Sequence, residues 1–131
     1  MVTTIIEPRF SDTDALGHIS NTAFPVWFED SRTEFFKIFH PSLDLDTWPL
    51  IIARIEIDFL AQCYWGNDVS INTYVSKLGN SSCTLVHEAS QNGKMVAKCV
   101  GVLIHYDYQS SKSVAIPSEI REKLTAHLQN D

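Results

Sequence analysis

Residues 12–21, with the sequence DTDALGHISN, bring two carboxylates, a glycine, a histidine and an asparagine close together along the chain. The apolar pattern that follows is helical, so these side chains are expected beside a helix N-terminus, which offers unpaired N–H groups and a partial positive charge. A carboxylate there can activate water or attack a carbonyl carbon, while the N–H groups stabilise the developing oxyanion. The same residue types also form helix caps and Asx-turns. Both a catalytic and a capping role are therefore open for this segment.

The helix that would position this segment is predicted from the spacing of large apolar residues. One helical face is shared by Phe24, Trp27, Phe28, Ser31, Phe35, Ile38 and Phe39. Thr22 or Asn21 is the expected N-cap, and capping by Thr22 places Pro25 in the first turn, where its missing N–H has no intrahelical partner. Because so apolar a face needs a cover, we expect one long helix buried against a sheet.

An alternation of apolar and polar residues predicts that sheet. The first strand is expected near residues 3–10, at an edge of the sheet because of Pro8. Later strands are expected over about residues 51–60, 69–76, 82–89 and 94–106. Asn92-Gly93 between the last two is a signal for a tight hairpin, which makes the sheet mostly antiparallel.

A short helix is expected after Pro117, with one apolar face formed by Ile120, Leu124 and Leu128. The elements together predict an α+β fold in a single domain over residues 1–131. In this fold a long central helix is wrapped by a mostly antiparallel five-stranded sheet.

The composition excludes several classes of function. A chain of 131 residues has room for one domain. Its 16 acidic and 10 basic residues give a net charge of −6, which disfavours a nucleic-acid partner. Three Cys without a C-x-x-C spacing and five scattered His argue against disulfides and a metal centre. With no signal-peptide pattern and no apolar run long enough to span a bilayer, the protein is expected to be cytoplasmic.

The remaining histidines and cysteines are expected to be structural. His87 and His105 share strand faces with apolar residues, so each is interpreted as a hydrogen-bonded core residue rather than a metal ligand. Cys83 and Cys99 are interpreted as packing residues. Cys63 has no evident base that would activate its thiol.

Residues 10–35, FSDTDALGHISNTAFPVWFEDSRTEF, resemble the signature of the hotdog-fold thioesterases, in the branch typified by 4-hydroxybenzoyl-CoA thioesterase. The shared features are an aromatic residue, D-x-D, Gly-His, an Asn, and a helix that runs into an Arg-Thr-Glu-aromatic stretch. Later segments resemble the family's strands in order and length. The resemblance therefore covers almost the whole chain, and it implies the hotdog fold.

The resemblance also implies an activity, the hydrolysis of an acyl-CoA thioester to a carboxylic acid and free CoA, without a metal or a further cofactor. Asp14, the second carboxylate of D-x-D, is the implied catalytic residue, as general base or as nucleophile. A backbone N–H near Asn21 is the implied oxyanion donor, and Gly17 and His18 belong to the same substrate site. Asp12 is expected to hold the loop.

Further residues are expected to contact the substrate, and the chain is expected to form an oligomer. Phe24, near the helix N-terminus, is expected to touch the acyl group and to favour short-to-medium or aromatic acyl chains. Ser81 and Ser82 are expected to donate hydrogen bonds to the CoA nucleotide. Residues 61–65, AQCYW, depart from the family pattern and are expected to shape the acyl or pantetheine channel. The resemblance implies a homodimer or homotetramer with active sites between subunits.

Two other functions stay open. A hydratase or dehydratase acting on acyl thioesters would use His18 with an acid on the long helix. A non-catalytic acyl-CoA-binding module would hold the same ligand without turnover. The loop position of Asp14 in D-x-D suits hydrolysis better, whether the thioester is carried by CoA or by an acyl carrier protein.

Overall fold

The structure is a computed structural model that describes residues 1–130. The strands within this range are β1 Val2–Ile6, β2 Leu50–Phe59, β3 Val69–Leu78, β4 Ser82–Gln91, β5 Lys94–Asp107 and β6 Lys112–Ser113. The α-helices within it are α1 Ala23–Asp30, α2 Thr33–Phe39 and α3 Ser118–Thr125. A strand, the helical segment, a run of strands and a short helix therefore follow one another in the order that the apolar patterns predict.

The strands form one antiparallel sheet in the order β1-β3-β4-β5-β2, and the two-residue β6 pairs with β5. This confirms the predicted α+β fold with an antiparallel sheet, although β6 is an additional strand that no alternation in the sequence predicted. β1 lies at one edge, as Pro8 indicated. Asn92 and Gly93 have φ angles of 52° and 77°, as a two-residue hairpin between β4 and β5 requires.

The predicted long helix is divided into α1 and α2 at Ser31 and Arg32. The Ser31 hydroxyl donates to the carbonyl of Phe28 at 2.7 Å, and the Thr33 hydroxyl donates to that of Asp30 at 2.7 Å. Such side-chain bonds compete with the helical pattern and loosen a helix locally. Because Ser31 and Arg32 keep right-handed helical dihedrals, the apolar face continues from α1 into α2.

The core lies between this helical face and the inner face of the curled sheet. Phe28 and Phe35 are fully buried, and Phe24, Trp27 and Phe39 are nearly so. Alternate residues of β4 point at them: Cys83, Leu85, His87, Ala89 and Gln91 are all buried. Burial of each large apolar side chain contributes about 1.5–3 kcal/mol to folding, so this contact holds the helices in the sheet.

The C-terminal segment closes one end of the core. Leu124 of α3 is fully buried. Leu128 lies beyond the end of α3 and is half-exposed, so its predicted place on the same helical face as Ile120 and Leu124 is wrong. The backbone next to Leu128 bonds to Val75 of β3 and continues the sheet edge past β1. Within residues 1–130, no helix is long and apolar enough to cross a membrane.

His87 is a neutral, hydrogen-bonded core residue, as predicted. Its Nδ1 lies 2.9 Å from the Ser31 Oγ and 2.8 Å from the Thr73 Oγ1. Since the Ser31 hydroxyl donates to Phe28, Nδ1 of His87 is the donor to Ser31. Burial, together with the nearby charge of Arg32, lowers the pKa of His87 to about 3.

We expect His87 to make the protein less stable in acid. In the unfolded chain a histidine has a pKa of about 6.5, so the unfolded state binds the proton first as the pH falls. Stability should then be lost by about 1.4 kcal/mol per pH unit from about pH 6.5 towards pH 3. Urea unfolding of wild type and His87→Asn at several pH values measures this. The difference between their free energies of unfolding should become smaller in acid, and a difference that does not change with pH would contradict the prediction.

Candidate active site

The predicted catalytic segment folds into a narrow loop that returns on itself before α1. Thr13 and Ile19 form an antiparallel bridge, and the Asp14 amide donates to the His18 carbonyl at 2.7 Å. Gly17 lies at the tip with φ of 81°, a conformation in which other L residues are strained. Asp14 and His18 therefore lie opposite each other across the loop.

Asp14 has one carboxylate oxygen held by the loop. Its Oδ1 accepts the amide N–H of Leu16 at 2.8 Å and that of His18 at 3.2 Å. Within the described residues no donor pairs with Oδ2, and the side chain is exposed. This leaves one oxygen, in a fixed orientation, to receive a proton or to attack a carbonyl carbon.

Asp12 is used differently. It is buried, and its two oxygens accept the Arg9 amide at 2.8 Å, the Arg9 Nη2 at 3.0 Å and the Arg9 Nε at 3.3 Å. These bonds from Arg9 hold the pKa of Asp12 below its usual value. The Asp12 carbonyl also accepts the Ser20 amide at 2.8 Å, which joins the start and the end of the loop. The expected structural role of Asp12 agrees with these contacts.

The N-terminus of α1 follows directly. Thr22 is the N-cap residue, with Pro25 in the first turn as predicted, but the Thr22 hydroxyl pairs with the Ser20 hydroxyl at 2.8 Å rather than with the helix. Within residues 1–130, the Asn21 amide N–H has no acceptor. A free backbone donor therefore lies at the positive end of the helix dipole, close in the chain to Asp14.

Aromatic side chains from the loop between β2 and β3 stand beside this segment. The Tyr64 ring meets the His18 ring edge-on with 5.2 Å between centroids, and their backbones form a bridge. The Trp65 ring packs edge-on against Phe10 at 5.5 Å. Tyr64, Trp65 and Phe10 are all exposed. Tyr64 and Trp65 thus form an exposed aromatic wall beside the Asp14 loop, within the segment where the sequence departs from the family pattern.

A groove of about 830 Å³ runs along the outward side of α1 and α2, between the two sheet edges. Asp12 and Trp27 line it beside α1, and Phe36 and Trp48 line it beside α2. The lining combines apolar side chains with the charged side chains of Arg9, Asp12, Glu29, Asp30 and Arg32, and Asp14 is not part of it. A groove of this kind can receive a ligand that has both apolar and polar parts.

Comparison with known proteins identifies the family. The sequence pattern of the thioesterase-like superfamily matches residues 8–124. The chain belongs to the thioesterase-like superfamily. This confirms the resemblance to the hotdog thioesterases and makes the protein a thioester hydrolase.

Solved structures and curated proteins resemble this thioesterase over most of its length. A predicted thioesterase from Bacillus stearothermophilus is 42% identical, with 98% of this chain and 97% of that chain covered and a TM-score of 0.96. A Thermus thermophilus thioesterase, solved with coenzyme A and zinc, is 30% identical, with coverages of 93% and 95% and a TM-score of 0.83. The acyl-CoA thioesterase YbgC from Haemophilus influenzae is 22% identical over 116 residues, which are 86% of this chain and 85% of that protein.

Three other predicted substrate residues of this thioesterase, Phe24, Ser81 and Ser82, lie outside the Asp14 loop. Phe24 is 3% exposed and packs edge-on against the half-exposed Phe59 of β2 at 5.7 Å. Ser81 and Ser82 are half-buried at the start of β4, in the row of the sheet that contains Ile104. Gly17 and His18 thus lie in the same loop as Asp14 and bond to its backbone or side chain. Asn21 follows Ser20, whose amide bonds to Asp12, and Ser81 and Ser82 lie at the opposite end of the sheet.

The thiols and the histidines of this thioesterase outside the loop are structural. Burial raises the pKa of Cys63 to about 11 and that of Cys83 to about 12, so neither is a ready nucleophile. Cys99 is fully buried, and the His105 ring stacks on Phe39. No group of three His, Cys, Asp or Glu side chains within residues 1–130 is arranged to hold a metal ion.

One residue close to the site of this thioesterase was not predicted. Gln91, at the end of β4, is 5% exposed, and its amide bonds to the backbone of the loop that carries Tyr64. The alternation of β4, continued two residues beyond Ala89, would place this polar side chain inside the sheet. A buried glutamine at a strand end is the signal that could have identified it.

Proposed function

We propose that this thioesterase hydrolyses acyl-CoA, with Asp14 as its catalytic carboxylate. The observation that carries the proposal is the state of the two carboxylates of D-x-D. Asp12 is buried and bound to Arg9, whereas Asp14 is exposed with Oδ1 fixed and Oδ2 free. The coenzyme A bound to the Thermus relative supports CoA as the carrier of the acyl group.

In one route Asp14 acts as a general base. Its free oxygen takes a proton from water as the water oxygen attacks the thioester carbonyl, and the Asn21 N–H stabilises the oxyanion. Collapse of the tetrahedral intermediate breaks the C–S bond, and the leaving thiolate takes the proton from Asp14 and is released as CoA. In the other route Asp14 attacks the carbonyl carbon itself, the C–S bond breaks and the CoA thiolate leaves. Water then hydrolyses the resulting mixed anhydride and frees the carboxylic acid and Asp14. In both routes the His18 and Leu16 amides hold the carboxylate in orientation.

The arrangement supports hydrolysis over hydration. A hydratase of this kind needs His18 paired with an acid on the helix. The His18 ring instead packs against Tyr64. Glu29 and Asp30, the acids of α1, lie at the far end of that helix, six residues or more beyond its first residue, Ala23.

We further propose that two copies pair through β2 to complete the site. β2 bonds to β5 on one side, and no strand within residues 1–130 covers its other side. Ile52, Ile55 and Phe59 of β2 are each more than 40% exposed. A ten-residue edge strand that exposes several apolar side chains is prone to pair with another chain unless it is covered. A second copy supplies that cover.

Pairing of this kind would bring the separated substrate residues together. The Asp14 loop is attached near the Phe59 end of β2, through the Ile19 amide and the Cys63 carbonyl at 2.8 Å. Ser82 lies near the Leu50 end of β2. It pairs with Ile104 of β5, seven residues along β5 from Ala97, the partner of Phe59, which separates Ser82 from the Phe59 end by about 23 Å. A two-fold axis that pairs β2 with itself antiparallel places the Phe59 end of one copy beside the Leu50 end of the other. The predicted serines would then face Asp14 from the second copy.

Phe24 remains the proposed limit on the acyl chain. It lies beneath Phe59, so an acyl group entering from Asp14 along β2 would meet these two rings. Two aromatic rings leave limited space, which favours short-to-medium or aromatic acyl groups. The three cysteines are buried free thiols, which supports a reducing compartment such as the cytoplasm.

Asp14→Asn should lower kcat by at least about 100-fold, because the amide is neither a base nor a nucleophile. The Asn oxygen can still accept the Leu16 and His18 amides, so folding and CoA binding should persist. Release of free thiol from a panel of acyl-CoAs gives kcat, and Asp12→Asn is the matched control. Loss of turnover in Asp12→Asn with activity kept in Asp14→Asn would show that the wrong carboxylate was chosen.

The protein should sediment as a homodimer or homotetramer at micromolar concentration. Ile55→Lys, which places a charge on the exposed side of β2, should weaken the assembly and lower activity together, because each site needs both copies. Lys112→Glu, on the exposed β6, is the control. A fully active 14.8 kDa monomer would disprove the composite site.

Phe24→Ala should shift the preferred substrate towards longer acyl chains. The measurement is kcat/KM for acetyl-, hexanoyl-, benzoyl- and palmitoyl-CoA. Phe35→Ala removes an equally buried ring far from Asp14, so it should lower stability by a similar 3–5 kcal/mol without changing the profile. A wild-type optimum at palmitoyl-CoA, or the same profile in Phe24→Ala, would contradict this role.

A further inference from the structure

Both the oxygen and the nitrogen of the Gln91 side-chain amide form hydrogen bonds to one neighbouring loop. Its Oε1 accepts the Tyr64 amide N–H at 2.9 Å, and its Nε2 donates to the Tyr64 carbonyl at 2.7 Å and to the Asn67 carbonyl at 3.0 Å. Tyr64 is therefore bound on both its N–H and its C=O, as it would be by a neighbouring strand. The side chain is 5% exposed, so water does not replace these bonds readily.

The loop held by Gln91 connects β2 to β3 and has few other attachments to the sheet. The Leu60 and Ala61 amides donate to the Val96 carbonyl at 2.9 and 3.3 Å at its start. Gly66, with φ of 106°, turns the chain between Tyr64 and Asn67. The middle of this loop therefore depends on one buried side chain for its position over the sheet.

The same loop supports the catalytic segment. The Ile19 amide donates to the Cys63 carbonyl at 2.8 Å, and His18 forms a bridge with Tyr64. His18 in turn holds Asp14, with its amide on Oδ1 and its carbonyl accepting the Asp14 amide. Three sets of hydrogen bonds, joined by short stretches of backbone, thus link Gln91 to the carboxylate. They run from Gln91 to Tyr64, from Ile19 to Cys63, and from His18 to Asp14.

We infer that Gln91 is a positioning residue for Asp14. This inference rests on the proposed function, in which Asp14 is catalytic, and it adds to that function a residue outside the D-x-D loop. Gln91 does not touch the reacting atoms. It sets the distance and the angle at which the Asp14 carboxylate meets the thioester, by fixing the loop on which His18 and the aromatic wall are built.

Glutamine is the side chain that fits this position. It must accept one hydrogen bond and donate two at the same time, and an amide has an oxygen acceptor and two N–H donors. Leucine fills a similar volume but leaves the Tyr64 N–H and two carbonyls without partners. Glutamate accepts from Tyr64, but its second oxygen faces carbonyl oxygens unless it carries a proton.

Gln91→Leu should therefore lower kcat by about 10- to 100-fold, since small displacements of a catalytic group cost that much, with KM changed by less than about three-fold. The assay uses the acyl-CoA that the wild type turns over fastest, at a temperature where the variant is folded. Gln109→Leu, in the exposed turn after β5, is the matched control and should behave as wild type. Lower melting temperature with an unchanged kcat would make Gln91 merely structural and overturn the inference.

Gln91→Glu gives a pH signature that a structural role would not. A buried carboxyl facing two carbonyls has a raised pKa, although the exposed Lys94 in the same cleft opposes the shift. When protonated, it regains a donor. The ratio of kcat in Gln91→Glu to kcat in wild type, measured at each pH, should rise as the pH falls. A ratio that is flat or falls in acid contradicts the inference.

Amide hydrogen exchange tests the same geometry without catalysis. In Gln91→Leu and Gln91→Glu, the amides of Ile19 and Tyr64 should exchange faster, while the amide of Leu85 within β4 stays protected. Unchanged exchange at Ile19 would overturn the inference even in an active enzyme. If the wild type releases no thiol from any acyl-CoA, the proposed function fails, and the exchange result still decides whether Gln91 holds the loop.

Discussion

The burial of one aromatic helical face against the inner side of the sheet is the contact on which the other features depend. Phe28 and Phe35 have no exposed surface, and they lie on α1 and α2 respectively. A sheet that covers two successive helices must curl around them, and this curl leaves β1 and β2 as edges on either side. The groove between those edges, and the exposed apolar side of β2, are consequences of the same packing.

Burial in this core disfavours the charged form of an ionisable side chain. His87 is kept neutral by burial, with the charge of Arg32 acting in the same direction. The Arg32 side chain reaches over β5, where a Cβ on Gly101 would lie 3.1 Å from its Nη2. The break between α1 and α2 places both Ser31, which bonds to His87, and Arg32 inside. The helix break and the buried polar groups thus belong to one arrangement.

The loop before α1 holds two carboxylates, two residues apart, in different states: Asp12 is bound by Arg9, and Asp14 keeps one oxygen free. Asp12 gives its oxygens to Arg9 and its carbonyl to Ser20, and this closes the loop. Asp14, opposite His18, keeps a free oxygen because the narrow loop needs only one. The loop is joined to the sheet through Cys63, Tyr64 and Gln91, so its geometry depends on residues far from it in sequence. Rigid support for an exposed carboxylate is what catalysis by orientation requires.

The local pattern of the sequence was enough to predict most of the elements and the position of the D-x-D loop before the helix. The helical spacing of Phe24 to Phe39, the alternation of the strands, the Asn92-Gly93 hairpin and the D-x-D loop before the helix depend on neighbours a few residues apart. The division of the helix at Ser31 was missed, because a serine within a helical stripe is tolerated unless its hydroxyl finds a carbonyl and a histidine partner. The sixth strand was missed because a pair of residues carries no alternation.

The tertiary structure alone decided the contacts between distant segments. Only the strand order leaves β2 uncovered at an edge, and only the packing of the sheet places Gln91 under Tyr64. It also separates Ser81 and Ser82 from Asp14 by the length of the sheet, which no spacing along the chain reveals. The physical reason is that helix and strand periods report which face of an element is buried, whereas hydrogen bonds between elements depend on how those faces are brought together in space.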